Sequence, residues 1–533
     1  MLLIVVFRSC VLWLSTDRLN PDKVVQIAVA RSLIAGHGLT QRELVTNGDE
    51  VELVEHPMVG WAPGYALLQA CGMFVLDEVV LFNVVLDLAA ICALLGAWFY
   101  LMWKCFANEE KMIPLVCAAM WVLLPNSLDC LTSNCLVSSA LFFCGLAFIP
   151  QWVAHPKHFV FGLAAGMLCG LATWIQFRFL PLNAVVLAAA SWNAWCCRDT
   201  GRSALRIPLG VAIGIAITIV PLVVLQFLRL GSLTGGTLAS PGGVYWSHLL
   251  AFYPFPLDAI GYDQAMRYLM YKTPVLGAIL SRNDVRIGVS IAVVALSFGA
   301  IAASLRATDA TVPKRTLSCT VIAGGCAAGV IILMTSWFSL RHPMQQLGSV
   351  AWTPVQEDRY FFQIQPFLWL AVAGVLTTWM RRSHTGFRIV AFAGVLAMSV
   401  AAIATQRVWV SYAMNHHGMR AHLNKEREHT QSLATFYMLD GLAKRGRTVV
   451  LVGEGRAITA LTRPAMIAGA FILNDGGDGM ELRNKLPKLL GAGVLLVRVT
   501  SSSDSDRFVF RVYDNQLGRA PTDAGWLLEE LGI

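Results

Sequence analysis

Long apolar runs recur along this chain so regularly that they dictate its solvent. At about 20 residues per helical crossing of a 30 Å hydrocarbon core, they amount to about eleven spans. The runs fall at about 1–16, 78–103, 112–126, 132–150, 158–175, 179–197, 207–228, 285–305, 317–339, 360–380 and 386–405. The first is short and contains Arg8; with no small-residue cleavage site in view, it reads as a membrane helix rather than a signal peptide. Charge is correspondingly scarce: 14% of the 533 residues are charged and 56% are hydrophobic, against about 25% charged in an ordinary soluble domain. Beyond residue 405 the composition becomes that of a soluble domain, so the expected organisation is a membrane domain over 1–405 and a soluble domain over 406–533.

The connecting loops fix an expected orientation. One set is basic, with Lys104 and Lys111, Lys157, Arg198, Arg202 and Arg206, Arg306, Lys314 and Arg315, and Arg381, Arg382 and Arg388. The opposite set holds few cations, chiefly Arg178, Arg341 and Arg359. Positive charge stays on the cytoplasmic side, so the loops 17–77 and 229–284 and the C-terminal domain are expected outside. The net charge of +8 is spent on topology and forms no basic stripe, which argues against a nucleic-acid partner. The absence of an endoplasmic-reticulum retrieval signal favours a bacterial inner membrane, with the C-terminal domain outside the cytoplasm.

The outer segments carry their own patterns. Residues 23–35 read as an amphipathic helix, with Val24, Ile27, Ala28, Arg31 and Ile34 at helical spacing, ended by Gly36 and Gly38. Residues 61–76 read as a second, membrane-surface helix opened by Pro63, with Trp61 and Tyr65 at headgroup depth. In the C-terminal domain helical patterns at 421–445 and 480–490 alternate with apolar strands at 448–452, 494–497 and 508–512, a small α/β layer. Gly453 and Gly455 lack the third glycine of a dinucleotide loop and read as a tight strand-to-helix turn. All thirteen cysteines lie at or before Cys326 and mostly inside apolar runs; Cys130 and Cys135, near an outer loop, could pair.

Several polar residues sit where chemistry is conceivable, each with a plainer alternative. Asp22 is either a first-turn carboxylate favoured by the helix dipole or a base at the membrane surface. Arg359 and Arg178, at outer ends of spans, either snorkel or bind phosphate in a bidentate fork. Asp129 on an outer turn either binds an acceptor or metal or is solvated, and Glu55 and His56 either contact a sugar or metal or are surface groups. Asp87, inside a span, is either a functional ionisable group in the membrane or one satisfied by an interhelical hydrogen bond. The adjacent His416 and His417 lack a third ligand, so no metal site is assigned; a divalent metal is compatible with phosphate chemistry but no cofactor is required by the residues.

Four stretches carry a family resemblance. Residues 22–39 (DKVVQIAVARSLIAGHGL) resemble the first outer loop of the GT-C superfamily of polyprenyl-phosphate-sugar glycosyltransferases, which includes protein mannosyltransferases and lipid A aminoarabinose transferase. Residues 56–68 (HPMVGWAPGYALL) resemble that family's aromatic-Pro-Pro-Gly-Tyr-Pro-Leu-Leu segment. Glu357, Asp358, Arg359 and Tyr360 resemble its Arg-Tyr at the start of a late span, and 461–465 (LTRPA) its Thr-Gly-Arg-Pro stretch. The resemblance implies a GT-C-like polytopic helical fold and a glycosyltransferase moving a sugar from a polyprenyl-phosphate donor to a lipid, glycan or protein acceptor at the outer face. Asp22 would be the base, Arg359 and Arg178 the donor-phosphate ligands, and Glu55, His56, Trp61, Tyr65, Asp129 and Tyr360 donor or acceptor contacts. Two departures stand out: Lys23 replaces the second carboxylate of an acidic pair, and Trp61-Ala62 precedes Pro63 where lipid A relatives carry a lysine. The rival readings are a transporter or flippase of lipid-linked sugars and a non-catalytic scaffold whose tail binds a partner.

Overall fold

The computed structural model describes residues 21–47, 50–76, 78–106, 134–197, 203–233, 273–282, 284–292, 311–341, 345–347, 350–352, 428–453, 455–474, 494–501, 508–514 and 522–523, with isolated positions between 295 and 389. The expected spans 1–16 and 112–126 and the helix at 480–490 lie outside these residues. The chain divides into two compact units. One comprises 1–5, 60–62 and 87–410; the other comprises 6–59, 63–86 and 411–533.

The first unit is helical. Helix α3 (Val79–Cys105) contributes its residues from Asp87 onward, followed by α4 (Cys135–Leu146), α5 (Ile149–Ala154), α6 (Phe159–Ile175), α7 (Phe179–Cys196), α8 (Arg206–Leu230), α9 (Pro274–Leu280) and α10 (Val312–Arg341). Among the described residues four helical stretches are long and apolar enough to cross a membrane: Val79–Cys105, Cys135–Ala154, Phe179–Cys196 and Ser203–Leu230. At 1.5 Å per residue these match the spans read from the runs at 78–103, 132–150, 179–197 and 207–228. The apolar helix α6, with 17 residues, is shorter. Two features hold this bundle together. Trp98, Phe143 and Phe367 form an aromatic cluster, with Trp98 edge-on to both phenylalanines, and Phe142 joins it to Phe179. In addition, α6 and α8 meet along glycines. A methyl group at Gly162 or Gly166 would strike the backbone carbonyl of Ile207 or Val211, and one at Gly210 or Gly214 that of Phe159 or Leu163. Apolar helices gain no hydrophobic energy from meeting each other in lipid, so backbone approach at small residues supplies the contact instead.

The second unit is a layered α/β structure. It contains α1 (Pro21–Ile34), a hairpin of β1 (Thr40–Asn47) and β2 (Glu50–Pro57), α2 (Gly64–Leu76), α11 (Glu428–Lys444), β5 (Thr448–Gly453), α12 (Gly455–Ala468), β6 (Phe471–Asn474), β7 (Val494–Ser501), β8 (Phe508–Asp514) and β9 (Thr522–Asp523). A further short hairpin, β3 (Gln345–Leu347) and β4 (Val350–Trp352), belongs to the first unit. The main sheet has order β6-β5-β7-β8-β9; β5 runs parallel to β6 and β7, and β8 runs antiparallel to β7. Successive side chains of a strand face opposite ways, and β5 buries both faces. Val449 and Leu451, with Leu495, Val497 and Val499, pack under Val24 and Ile27 of α1, Phe436 and Leu439 of α11 and Leu461 of α12. Val450 and Val452, with Leu473, Val494 and Leu496, pack against Leu44, Val51 and Leu53 of the hairpin. Residues from the first 60 of the chain thus cover both faces of a sheet made from the last 90.

One ion-paired pin reinforces this union. Arg31 donates from Nη2 to Asp440 Oδ1 at 2.5 Å and from Nε to the Ile467 carbonyl at 2.5 Å. Lys444 approaches the other Asp440 oxygen at 3.2 Å. Burial, with Glu78 and Asp440 adding to it, pushes the neighbouring Tyr437 phenol up, while Lys444 opposes, so Tyr437 stays neutral in the physiological range.

Candidate active site

Asp22 lies in the first turn of α1, half-buried, where the helix dipole favours its charge. Its backbone carbonyl accepts from Gln26 Nε2 at 3.2 Å. The expected helix is present and ends at Gly36 and Gly38, both with positive φ, 86° and 76°. Its buried face is rotated from the one read in the sequence: Lys23, Val24, Gln26, Ile27, Val29 and Ala30 are buried, whereas Ile34 is 52% exposed. The reason is that α1 is covered by other elements of its unit on more than one side, so a single apolar stripe does not describe it. Lys23 was legible only as a departure from a family pattern. Here it is fully buried beside Asp22, and a buried ammonium must be compensated by its surroundings.

Glu55 and His56 are on β2, and their neighbours across the hairpin engage them. Glu55 Oε1 lies 2.8 Å from Arg42 Nε and 3.6 Å from His37 Nδ1, and Arg42 Nη1 donates to His37 Nε2 at 3.0 Å. His56 Nε2 lies 3.2 Å from Glu43 Oε1. His56 and Glu43 are both exposed, whereas in the directly opposed Arg42–Glu55 pair Glu55 is exposed and Arg42 half-buried. The hairpin was not anticipated, although Asn47-Gly48 between two alternating runs is the short-range signal for one.

Trp61 precedes α2, half-buried. Tyr65 is fully buried within the protein. Its hydroxyl donates to Asn83 Oδ1 at 3.1 Å, which also accepts from Gln69 Nε2 at 2.8 Å. Asn83 Nδ2 returns a bond to Gln69 Oε1 at 2.9 Å. These buried amides satisfy one another and lock α2 to the start of α3, which explains why a phenol can sit in an apolar interior. One turn further along α3, Asp87 is also buried.

In the other unit Arg178 precedes α7, with its guanidinium carbon 5.7 Å from the Phe179 ring centre. Close by in sequence, Gln176 donates to Asn134 and Ser138 donates to Gln176 Oε1 at 3.1 Å. Cys135 is buried and accepts from Gln176; Cys130 lies outside the described residues. Arg359, Tyr360 and Asp129 also lie outside them. Among the described residues no three His, Cys, Asp or Glu side chains converge as a metal site would require.

No family model and no curated protein matches the chain. Solved structures do. The ArnT crystal structure from Cupriavidus metallidurans bound to undecaprenyl phosphate has a TM-score of 0.52 at 11% identity, covering 97% of this chain and 98% of that one. The apo form of the same ArnT gives 0.48 at 13% identity, covering 97% and 98%. The oligosaccharyltransferase of Archaeoglobus fulgidus in complex with zinc and sulfate gives 0.44 at 10% identity, covering 93% of this chain and 68% of that one. The first comparison establishes an ArnT-like fold along nearly the whole chain.

Proposed function

We propose that this chain is a GT-C glycosyltransferase taking a sugar from a polyprenyl-phosphate donor and passing it to an acceptor at the outer face of a bacterial inner membrane. The observation that carries the reading is the full-length likeness to an ArnT whose structure holds undecaprenyl phosphate. It coincides with four sequence stretches that resemble the same superfamily. A set of membrane-length apolar helices joined to a layered unit suits a substrate whose tail stays in lipid while its phosphate sits at the interface.

In the proposed reaction the acceptor oxygen or nitrogen attacks the anomeric carbon as the bond from that carbon to the phosphate oxygen breaks. The configuration inverts, polyprenyl phosphate departs with the bonding electrons, and Asp22 takes the acceptor proton. A positioned general base contributes about 10²–10⁴-fold. Arg359, with Arg178, neutralises the leaving phosphate, a role that guanidinium geometry suits. Trp61, Asp129 and Tyr360 line the donor or acceptor. The contacts of Glu55, His56 and Tyr65 place them first in the hairpin and the α2–α3 lock.

The test is transfer from a panel of radiolabelled polyprenyl-phosphate sugars by the purified protein in lipid nanodiscs. Asp22→Asn should lower transfer by about 100-fold or more while leaving the folded level unchanged. Transfer from no donor, or an Asp22→Asn variant as active as the parent, overturns the reading.

A further inference from the structure

An amide enclosed by protein costs stability unless both of its ends find partners, because water no longer serves them. In the layered unit Gln69 and Asn83 meet that demand by pairing with each other, and the enclosed carboxylate of Asp440 by pairing with Arg31 and Lys444. Gln26 of α1 is equally enclosed, at 0% exposure, and only one end of it is served. Its Nε2 donates to the Asp22 carbonyl at 3.2 Å, while its Oε1 meets no hydrogen-bond donor among the described residues. Turning the amide over does not help, since the Asp22 carbonyl can only accept.

The position explains what an unpaired carbonyl could be for. Val24, Ile27 and Ala30 form the row of α1 that packs into the core on the sheet. At 3.6 residues per turn, Gln26 stands off that row, one turn beyond Asp22 and on the same side of the helix as Val29. Helix neighbours four apart have their Cβ atoms about 5–6 Å from each other, close to the width of a sugar ring. A methionine here would fill a similar space with nothing left unpaired, so an apolar residue suits a core position that has no other task. The proposed base and the unpaired acceptor thus share one side of one helix.

We propose that Gln26 selects the transferred sugar, its Oε1 accepting a hydrogen bond from a hydroxyl or amino group on that sugar. The inference rests on the sugar-transfer reading and adds a specificity residue to it. The chemistry of the atom narrows the ligand, because a carbonyl oxygen needs an N–H or O–H. The phosphodiester of a polyprenyl-phosphate sugar has neither, and the proton of the attacking nucleophile goes to Asp22. The remaining polar substituents of the sugar can supply the donor. An analogue lacking the matching group leaves the buried acceptor unpaired, which is how such sites reject it strongly.

The purified protein in lipid nanodiscs is given the radiolabelled donor it accepts and a set of deoxy analogues, each lacking one hydroxyl or amino group. The parent kcat/KM should fall about 100-fold or more for one analogue. Gln26→Met, which keeps the length of the side chain, should lower kcat/KM for the complete donor about 10-fold or more but not for that analogue, so the preference shrinks. Its denaturant midpoint should stay at or above that of the parent. Asp22→Asn, in contrast, should lower transfer from every donor alike. A parent indifferent to all the analogues overturns the inference without any substitution. So does a Gln26→Met protein that transfers like the parent, or one that loses transfer from every donor in equal proportion. In each of those cases the parent still transfers sugar, so the sugar-transfer reading survives; transfer by the parent from no donor removes both.

Discussion

The seam between α6 and α8 and the two-faced sheet around β5 are both packed closely, yet they are packed for opposite reasons. At the seam Gly162, Gly166, Gly210 and Gly214 remove side chains so that backbones touch. In the sheet, Val449, Val450, Leu451 and Val452 bring side chains in and bury them on both sides. Where lipid is the solvent, moving an apolar side chain from lipid to protein gains little, and close van der Waals approach does the work. Where water is the solvent, removing apolar area from it is worth about 25 cal/mol per Å². The comparison teaches that added bulk should be ruinous at the seam and lost bulk ruinous at the sheet.

The largest expected effect is at the seam. Gly166→Leu drives a branched side chain into the Val211 carbonyl, which is backbone and cannot rotate away. We expect a destabilisation of about 3 kcal/mol or more, read as loss of the folded population in nanodiscs by denaturant titration. Gly96, beside which a methyl group would meet nothing within 4 Å, serves as the control, and Gly96→Ala should be nearly silent. If Gly166→Leu is tolerated as well as Gly96→Ala, the seam is not the close contact described.

Next comes the sheet. Phe436→Ala removes a fully buried ring from the face shared by α1, α11 and α12, and such truncations cost about 3–5 kcal/mol. Because that face also contains Val24 and Ile27, the variant should increase proteolysis within residues 21–34 as well as in the C-terminal strands. Cleavage confined to the C-terminal strands would show that the two chain segments do not share one core. A smaller effect is expected from Asp440→Asn. Asp440 is 4% exposed but Arg31 is 20% exposed and keeps the Ile467 carbonyl, so the loss should be about 1–2 kcal/mol in the same titration.

These same two regions show what the amino-acid order reveals. The membrane helices were legible because a lipid-facing helix is apolar on all sides, so α3, α7 and α8 announce themselves without a partner. The four-residue spacing of Gly162, Gly166 and Gly170 is visible in the chain, but nothing local says that Gly210 and Gly214 receive it. The strands β5, β7 and β8 could be read from their apolar runs, and α1 from its periodicity and closing glycines. What could not be read is that α1 and the β1–β2 hairpin are the covers of that sheet, since the contacting residues lie about 400 apart and each segment is amphipathic enough to suit many partners. Likewise Asp22 stands out in the sequence by its position after an apolar run, whereas the burial of Lys23 and the Tyr65–Asn83–Gln69 lock depend on elements that only the fold brings together.

The smallest expected effect separates a surface pair from a substrate contact. His56 and Glu43 are both about half exposed, at 54% and 46%, so water screens their attraction and each side chain gives up freedom to hold it. His56→Ala should therefore change stability by less than about 1 kcal/mol, far less than the glycine and phenylalanine changes above. Since the cross-strand contact already accounts for its position, sugar transfer by this variant should stay close to the parent level, in contrast to Asp22→Asn. A variant that folds normally yet loses transfer would move His56 from the hairpin surface to the reacting sugar, and would require the hairpin to be both a cover of the sheet and a wall of the active site.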